Sequence, residues 1–250
     1  MNIKSLISLI VMTAAVAGCA GETATLTGTG DDGVGEKFTG VRPFYENNRL
    51  DKEVTYVKGK RNGLTKTYYP SGNLKQTFNF VDGRKSELAT WYYEDGKVFR
   101  TTPYKNDTIH GKQIQYYRSG RLKAEMSYVE GHRLPDLKEY FDNNKQKIIR
   151  ADIIIKTRDE YTANGKYKIF AELDNKNLGV VFFRGDLTDG AFNRSNLTKM
   201  ATSGGVGYLE LSLGPNGNNG YVGIIAEYTT DFGNKNYIYK KVSIPYKNVE

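Results

Sequence analysis

Gly59-Lys-Arg-Asn-Gly63-Leu-Thr-Lys-Thr-Tyr68-Tyr69-Pro-Ser-Gly72-Asn-Leu74 decides how the rest of the chain is read. Its second half returns as Tyr92-Tyr93-Glu-Asp-Gly96-Lys-Val98 and as Tyr116-Tyr117-Arg-Ser-Gly120-Arg-Leu122, each a step of 24 residues further on. The same step backwards meets Phe44-Tyr45-Glu-Asn-Asn48-Arg-Leu50, and forwards Tyr140-Phe141-Asp-Asn-Asn144. Other columns keep the register: Tyr56, Phe80, Tyr104 and Tyr128, then Gly59, Gly83 and Gly131 with Asp107 in the remaining slot. Asn stands for Gly in the two outer copies, and Asn is the next residue most tolerant of a positive φ. Many columns matched at one spacing identify an internal repeat.

Each period holds two turns and two short strands. Pro70-Ser71-Gly72-Asn73 joins a strand ending at Tyr69 to one beginning at Leu74. Asp82-Gly83 opens the next unit, and Asp-Gly is a strong hairpin signal. Within the strands the period is two. Leu122, Ala124, Met126 and Tyr128 alternate with Lys123, Glu125 and Ser127, and Leu74, Phe78 and Phe80 with Lys75, Thr77 and Asn79. The expected object is an antiparallel meander that grows by one hairpin per repeat, with one apolar and one polar face. Such a sheet twists and needs a cover or tight curvature.

The pattern Gly-x-x-x-Gly-x-x-x-x-Tyr-Tyr-x-x-Gly-x-Leu, read from Gly59 to Leu74, resembles the MORN-repeat variant of the YwqK-family antitoxin proteins. The resemblance covers residues 44–147. It implies a scaffold of β-hairpins and a protein-neutralising role. Glu87 and Pro135 stand where the pattern has its second Gly, and the third unit carries Pro103 and Asp107.

After residue 147 the repeat stops. Strand-like runs follow at 148–155, 166–173, 178–184, 208–213, 221–228 and 237–245, with Gly- and Asn-rich turns between them. Six or seven short strands in about a hundred residues suggest a β-sandwich. The stretch 185–205 has no obvious strand and reads either as a functional loop or as a crossover connection. The expected fold class is therefore all-β: an antiparallel meander of 24-residue hairpin repeats over 41–147, then a sandwich over 148–250.

The beginning of the chain has a different character. A short n-region with Lys4, an apolar run too short to span a bilayer, and small residues before Cys19 give the layout of a secretory signal. Val16-Ala17-Gly18-Cys19 resembles a bacterial lipobox. That resemblance implies a signal peptide over 1–18, lipid attachment at Cys19, a mature chain starting there, and, with Ala20 following, sorting to the outer membrane facing the periplasm in a Gram-negative host, or placement on the outer face of the cell membrane in a Gram-positive one. Cys19 is also the one cysteine in the protein, which rules out an intrachain disulfide. Residues 19–40 are rich in Gly, Thr and Asp and read as a lipidated tether. The tether spells G-x-G-x-x-G from Gly28 to Gly33, without the preceding strand and following helix that phosphate binding needs.

A formal net charge of +8 is spread among interleaved acids and bases, so the expected surface is mixed in sign and nucleic acid is not an expected partner. His110 and His132 occupy different slots of the repeat, so no metal site is expected. No nucleophile elbow is present, and Asp231-Phe232-Gly233 lacks any companion kinase motif. The chain reads as a non-enzyme without cofactor. What remains is binding. Rigid amphipathic tyrosines next to lysines suit an interface, so Tyr69, Tyr93 and Tyr117 with Lys75 and Lys123 are the candidate partner-binding residues. Each Tyr-Tyr pair is expected to split between the two sheet faces, one set forming core and the other an exposed row. The expected function is an immunity or antitoxin-like lipoprotein that binds a protein toxin and occludes it, touching membrane through its lipid alone. The alternative is a structural or adhesive envelope lipoprotein that binds glycan, peptidoglycan or lipid.

Overall fold

The computed structural model describes residues 37–177, 179–212 and 220–245. Cys19, the signal sequence and most of the expected tether lie outside the described residues. Among the described residues no helix is long and apolar enough to cross a membrane.

The repeats form one antiparallel sheet of twelve strands. They are β1 (Gly40–Glu46), β2 (Arg49–Val57), β3 (Lys60–Tyr68), β4 (Leu74–Val81), β5 (Arg84–Tyr92), β6 (Val98–Lys105), β7 (Thr108–Ile109), β8 (Gly111–Tyr116), β9 (Leu122–Val129), β10 (His132–Arg133), β11 (Lys138–Tyr140) and β12 (Gln146–Lys147). The order follows the chain, with β7 and β10 as short side pairings of β6 and β9.

The turns explain the glycines. In each repeat the second Tyr of the pair closes a tight turn: Tyr69 N–H bonds Asn73 O at 2.8 Å, and Gly72 N–H bonds Tyr69 O at 2.9 Å. The same two bonds recur at Tyr93, Tyr117 and Phe141. Gly72 has φ +88°, and Asn48 and Asn144 hold the equivalent place at +61° and +64°. Asn tolerates this region because its short side chain can bond locally. Glu87 and Asp107 also adopt positive φ, at 64° and 67°, so the departures from the Gly pattern leave the backbone path intact. Register shifts recur beside both turns of each unit, as at Thr67/Tyr68 and Val54/Tyr56, and these bulges add twist.

The second half is a sandwich of two four-stranded sheets. The added strands are β13 (Ile153–Glu160), β14 (Lys166–Leu173), β15 (Val181–Arg184), β16 (Thr198–Lys199), β17 (Ala201–Ser203), β18 (Val206–Ser212), β19 (Gly220–Thr229) and β20 (Lys235–Ile244). One sheet runs β13-β14-β18-β17 and the other β16-β15-β19-β20. Ile153, Ile169, Leu173 and Leu211 from the first meet Phe182, Ile224, Ala226 and Ile244 from the second in one core. The β-branched run enters its strand later than its composition suggests. Ile148 is 69% exposed, and Ile149 and Ala151 pack against the core before pairing begins at Ile153. The stretch 185–205 is the crossover between the sheets: it pairs β16 with β15, drops Met200 into the core, then pairs β17 with β18.

The described residues form one compact unit, and a buried polar network joins array to sandwich. Glu139 of β11 is fully buried and accepts from Asn234 Nδ2 at 2.7 Å and Thr230 Oγ1 at 2.6 Å. Gln115 Nε2 donates to Asn234 Oδ1 at 3.0 Å. Arg133, 7% exposed, donates to Lys235 O, lies over the Tyr237 ring and receives Phe192 N–H on its own carbonyl.

Candidate partner-binding surface

The three tyrosines named from the sequence do form a line, and the hydroxyl of each is engaged. Tyr69 Oη donates to Tyr92 O at 2.7 Å, Tyr93 Oη to Tyr116 O at 2.9 Å, and Tyr117 Oη to Tyr140 O at 2.7 Å. Each second tyrosine thus reaches the first tyrosine of the next repeat. All three are half-buried. Burial pushes the Tyr93 and Tyr117 phenols above their ordinary value. The expected split into a core set and an exposed set is corrected for this set: its rings are half-buried, and its hydroxyls staple one repeat to the next. Its first member, Tyr45, is 67% exposed, and its last slot is Phe141, which has no hydroxyl to give.

Cations cover these rings. Lys75 Nζ lies 5.8 Å from the Tyr69 centroid, Lys123 Nζ 5.7 Å from Tyr117, and Arg118 Cζ 5.1 Å from Tyr93. In the column of Lys75 and Lys123, the middle repeat places Phe99 edge-on to Tyr93 at 5.2 Å.

The first tyrosine of each pair lies on the less buried sheet face. Tyr68 donates to Glu53, which also pairs with Lys66 at 3.7 Å, and Tyr140 donates to Glu125 at 3.0 Å. Burial first, then the bond to Glu53, pushes the Tyr68 phenol up to about 12. Apolar side chains are exposed as well, among them Leu64 and Leu88, 24 residues apart.

The opposite, more buried face differs from the expected apolar one. Strand pairing places Lys52, Arg61, Lys85 and Arg100 on the same side as Val54, Phe78, Phe80, Trp91 and Tyr104. Alternation read in β4 and β9 missed this, because the neighbouring strands β2, β3, β5 and β6 supply the cations. Their aliphatic stems lie along the rings, and their heads sit over π faces. Arg100 Cζ is 4.1 Å from the Trp91 centroid, Lys85 Nζ 4.7 Å from Phe78 and 5.6 Å from Tyr104, and Arg61 Cζ 5.7 Å from Phe80. Phe78 holds the group together through edge contacts with Trp91 at 5.3 Å and Tyr104 at 6.2 Å. Burial lowers the Arg100 pKa from its ordinary value.

His110 Nδ1 is 3.5 Å from a Glu130 carboxylate oxygen, and His132 begins β10. Among the described residues no group of three or more His, Cys, Asp or Glu could hold a metal. Asp231-Phe232-Gly233 proves to be the β19–β20 turn, and its geometry copies the repeat: Thr230 N–H bonds Asn234 O at 2.8 Å and Gly233 N–H bonds Thr230 O at 2.9 Å. This turn docks on the last repeat, Phe232 against Phe141 at 5.6 Å and Asp231 against Lys147 at 2.7 Å.

Residues 61–82, 88–106 and 109–130 match the family described as MORN repeat variant, which supports reading the hairpins over those residues as MORN-like repeats. Among curated proteins none matches this chain. A solved structure described as the crystal structure of a GtfA/B complex bound to UDP and GlcNAc is similar to it at 14% identity and a TM-score of 0.22, over 45% of this chain and 23% of that one. A likeness that distant has no bearing on fold or function.

Proposed function

We propose that this chain is a partner-binding lipoprotein of the bacterial envelope, of the immunity or antitoxin type, and that it neutralises a protein toxin by occluding it without catalysis. The observation that supports this reading most is the repeat sheet itself. It presents rows of rings and cations at a fixed step, material suited to a protein interface. The finer family assignment rests on the Gly59–Leu74 pattern, and the anchoring on the lipobox-like residues before Cys19. In this reading Cys19 carries the lipid, the outer membrane holds the protein facing the periplasm, and Lys75 and Lys123 above Tyr69 and Tyr117 belong to the contact surface.

The test is affinity capture on the immobilised chain from the host's envelope and secreted proteins at high salt, followed by toxin challenge of a deletion strain. One stoichiometric protein partner, together with a deletion strain that its toxin kills, supports the proposal. Retention of glycan or lipid with no protein would replace it by the adhesive reading. Full resistance of the deletion strain to every sibling toxin would remove the immunity role.

A further inference from the structure

The ring-lined face of β2–β6 concentrates positive charge where the other face is mixed. Lys52, Arg61, Lys85 and Arg100 lie on it. The carboxylates of the same strands turn away. Glu53 binds Tyr68 and Lys66 on the opposite face. Glu87, in its left-handed conformation, reaches Asn79 there at 2.7 Å. Among the described residues the Lys85 ammonium and the Arg100 guanidinium lie over rings and form no ion pair, and the Asp107 carboxylate nearby is engaged by the Lys85 backbone N–H at 2.8 Å. Arg100 Nε is buried with no hydrogen-bond partner. The Arg100 and Lys85 side chains are otherwise only half-buried, and a carboxylate arriving at their open side would form charge-assisted bonds.

We infer that this face, centred on Lys85, Arg100 and Trp91, is the docking surface for an acidic polypeptide segment of the partner. The inference rests on the partner-binding reading and names the chemistry of that partner. Carboxylates suit it because the cations are set among rings that can take the aliphatic stems of Glu and Asp. A flat anionic bilayer fits less well, since half-buried heads do not project to meet it. Nucleic acid also fits less well, because Phe78, Trp91 and Tyr104 pack edge to face and carry their own cations, which leaves no free row of π faces for bases.

The test uses the purified chain and a fluorescent synthetic peptide of about 20 residues, the scale of one side of a protein interface, with Glu or Asp at every third position. Its Gln/Asn counterpart, anionic phospholipid vesicles and a single-stranded oligonucleotide serve as competing probes. Lys85→Met with Arg100→Met removes the two charges and keeps much of the stem packing. Lys156→Gln with Lys176→Gln, two exposed ammonium groups of the sandwich, is the control pair, and circular dichroism melts check that both variants fold. The acidic peptide is expected to bind the native chain, to weaken by about tenfold or more in the Lys85/Arg100 variant, and to be unaffected by the sandwich variant. Its binding should vanish near 1 M salt, where the Debye length is about 3 Å. Equal binding to native chain and folded Lys85/Arg100 variant, or preference for vesicle or oligonucleotide, overturns the inference. If a captured protein partner binds that variant as tightly as the native chain, the partner-binding proposal stands and this surface is wrong. If the acidic peptide behaves as expected but no protein is captured, the surface stands and the proposed role falls.

Discussion

At the residue scale the tyrosine ladder can be tested one hydroxyl at a time. Tyr93→Phe keeps the ring and removes the donor from the Tyr116 carbonyl, so it should cost about 1 to 2 kcal/mol of stability in urea melts. Tyr45→Phe, at the 67% exposed first slot, should leave the midpoint unchanged. Equal effects would show that the ladder hydroxyls are not staples. Two glycines give a second contrast. A Cβ on Gly223 would overlap the Gly185 carbonyl oxygen and stand 2.6 Å from Asp186 Oδ1, backbone and a tethered carboxylate that Tyr221 and Tyr239 hold in place. Gly223→Ala should therefore destabilise by about 3 kcal/mol or prevent folding. Gly72 has φ +88° with nothing near its missing Cβ, so Gly72→Ala should cost only about 1 kcal/mol from backbone strain. The tyrosine column was legible because a strict period shows through any composition. The acceptor of each hydroxyl was not, because it lies on the next repeat's turn and depends on how adjacent hairpins stack.

At the element scale, ion pairs tie strands that the sequence separates. Asp152, just before β13, is held below the ordinary carboxylate range first by its bond to Lys240 of β20, at 2.9 Å. Burial would raise Glu125 of β9, but bonds from Lys112 and Tyr140 outweigh it and the carboxyl is held low. A depressed folded-state pKa contributes stability above the unfolded value, about 4, and that contribution is lost as pH falls through the folded value. The urea midpoint should hold steady above about pH 5 and decline toward pH 3, with a shallower decline in Glu125→Gln. An unchanged slope in that variant would exclude Glu125 as a contributor. The junction makes a stronger demand. Glu139→Ala leaves Asn234 and Thr230 without their acceptor and Arg133 without a nearby buried carboxylate, and should cost about 3 kcal/mol or more. Strand existence in the array could be read from period two inside period 24, whereas the face shared by Lys85 and Phe80 needed the register of β4 on β5.

At the scale of the whole molecule, the two halves are built on different physics. Both clusters of buried apolar side chains belong to the sandwich. The array is held by turn bonds, the tyrosine ladder and rings under cations, and it ends on Phe141 and Glu139, which the β19–β20 turn covers. A chain stopped after Lys147 should accordingly lose its cooperative thermal transition, while residues 148–250 alone retain one. A sharp melt from the isolated array would show that its repeats need no cap. The period, the turn chemistry and the switch from repeat to sandwich were all written in local sequence, because hairpin turns and alternating strands are set by a few neighbouring residues. Three things awaited the tertiary structure. Asp231-Phe232-Gly233 acts as a further repeat-like turn that caps the array, the stretch 185–205 serves as a crossover between sheets, and one sheet face gathers cations among rings. Each joins residues far apart in the chain or on different strands, and no local pattern encodes which strands become neighbours or which side chains a shared face brings together.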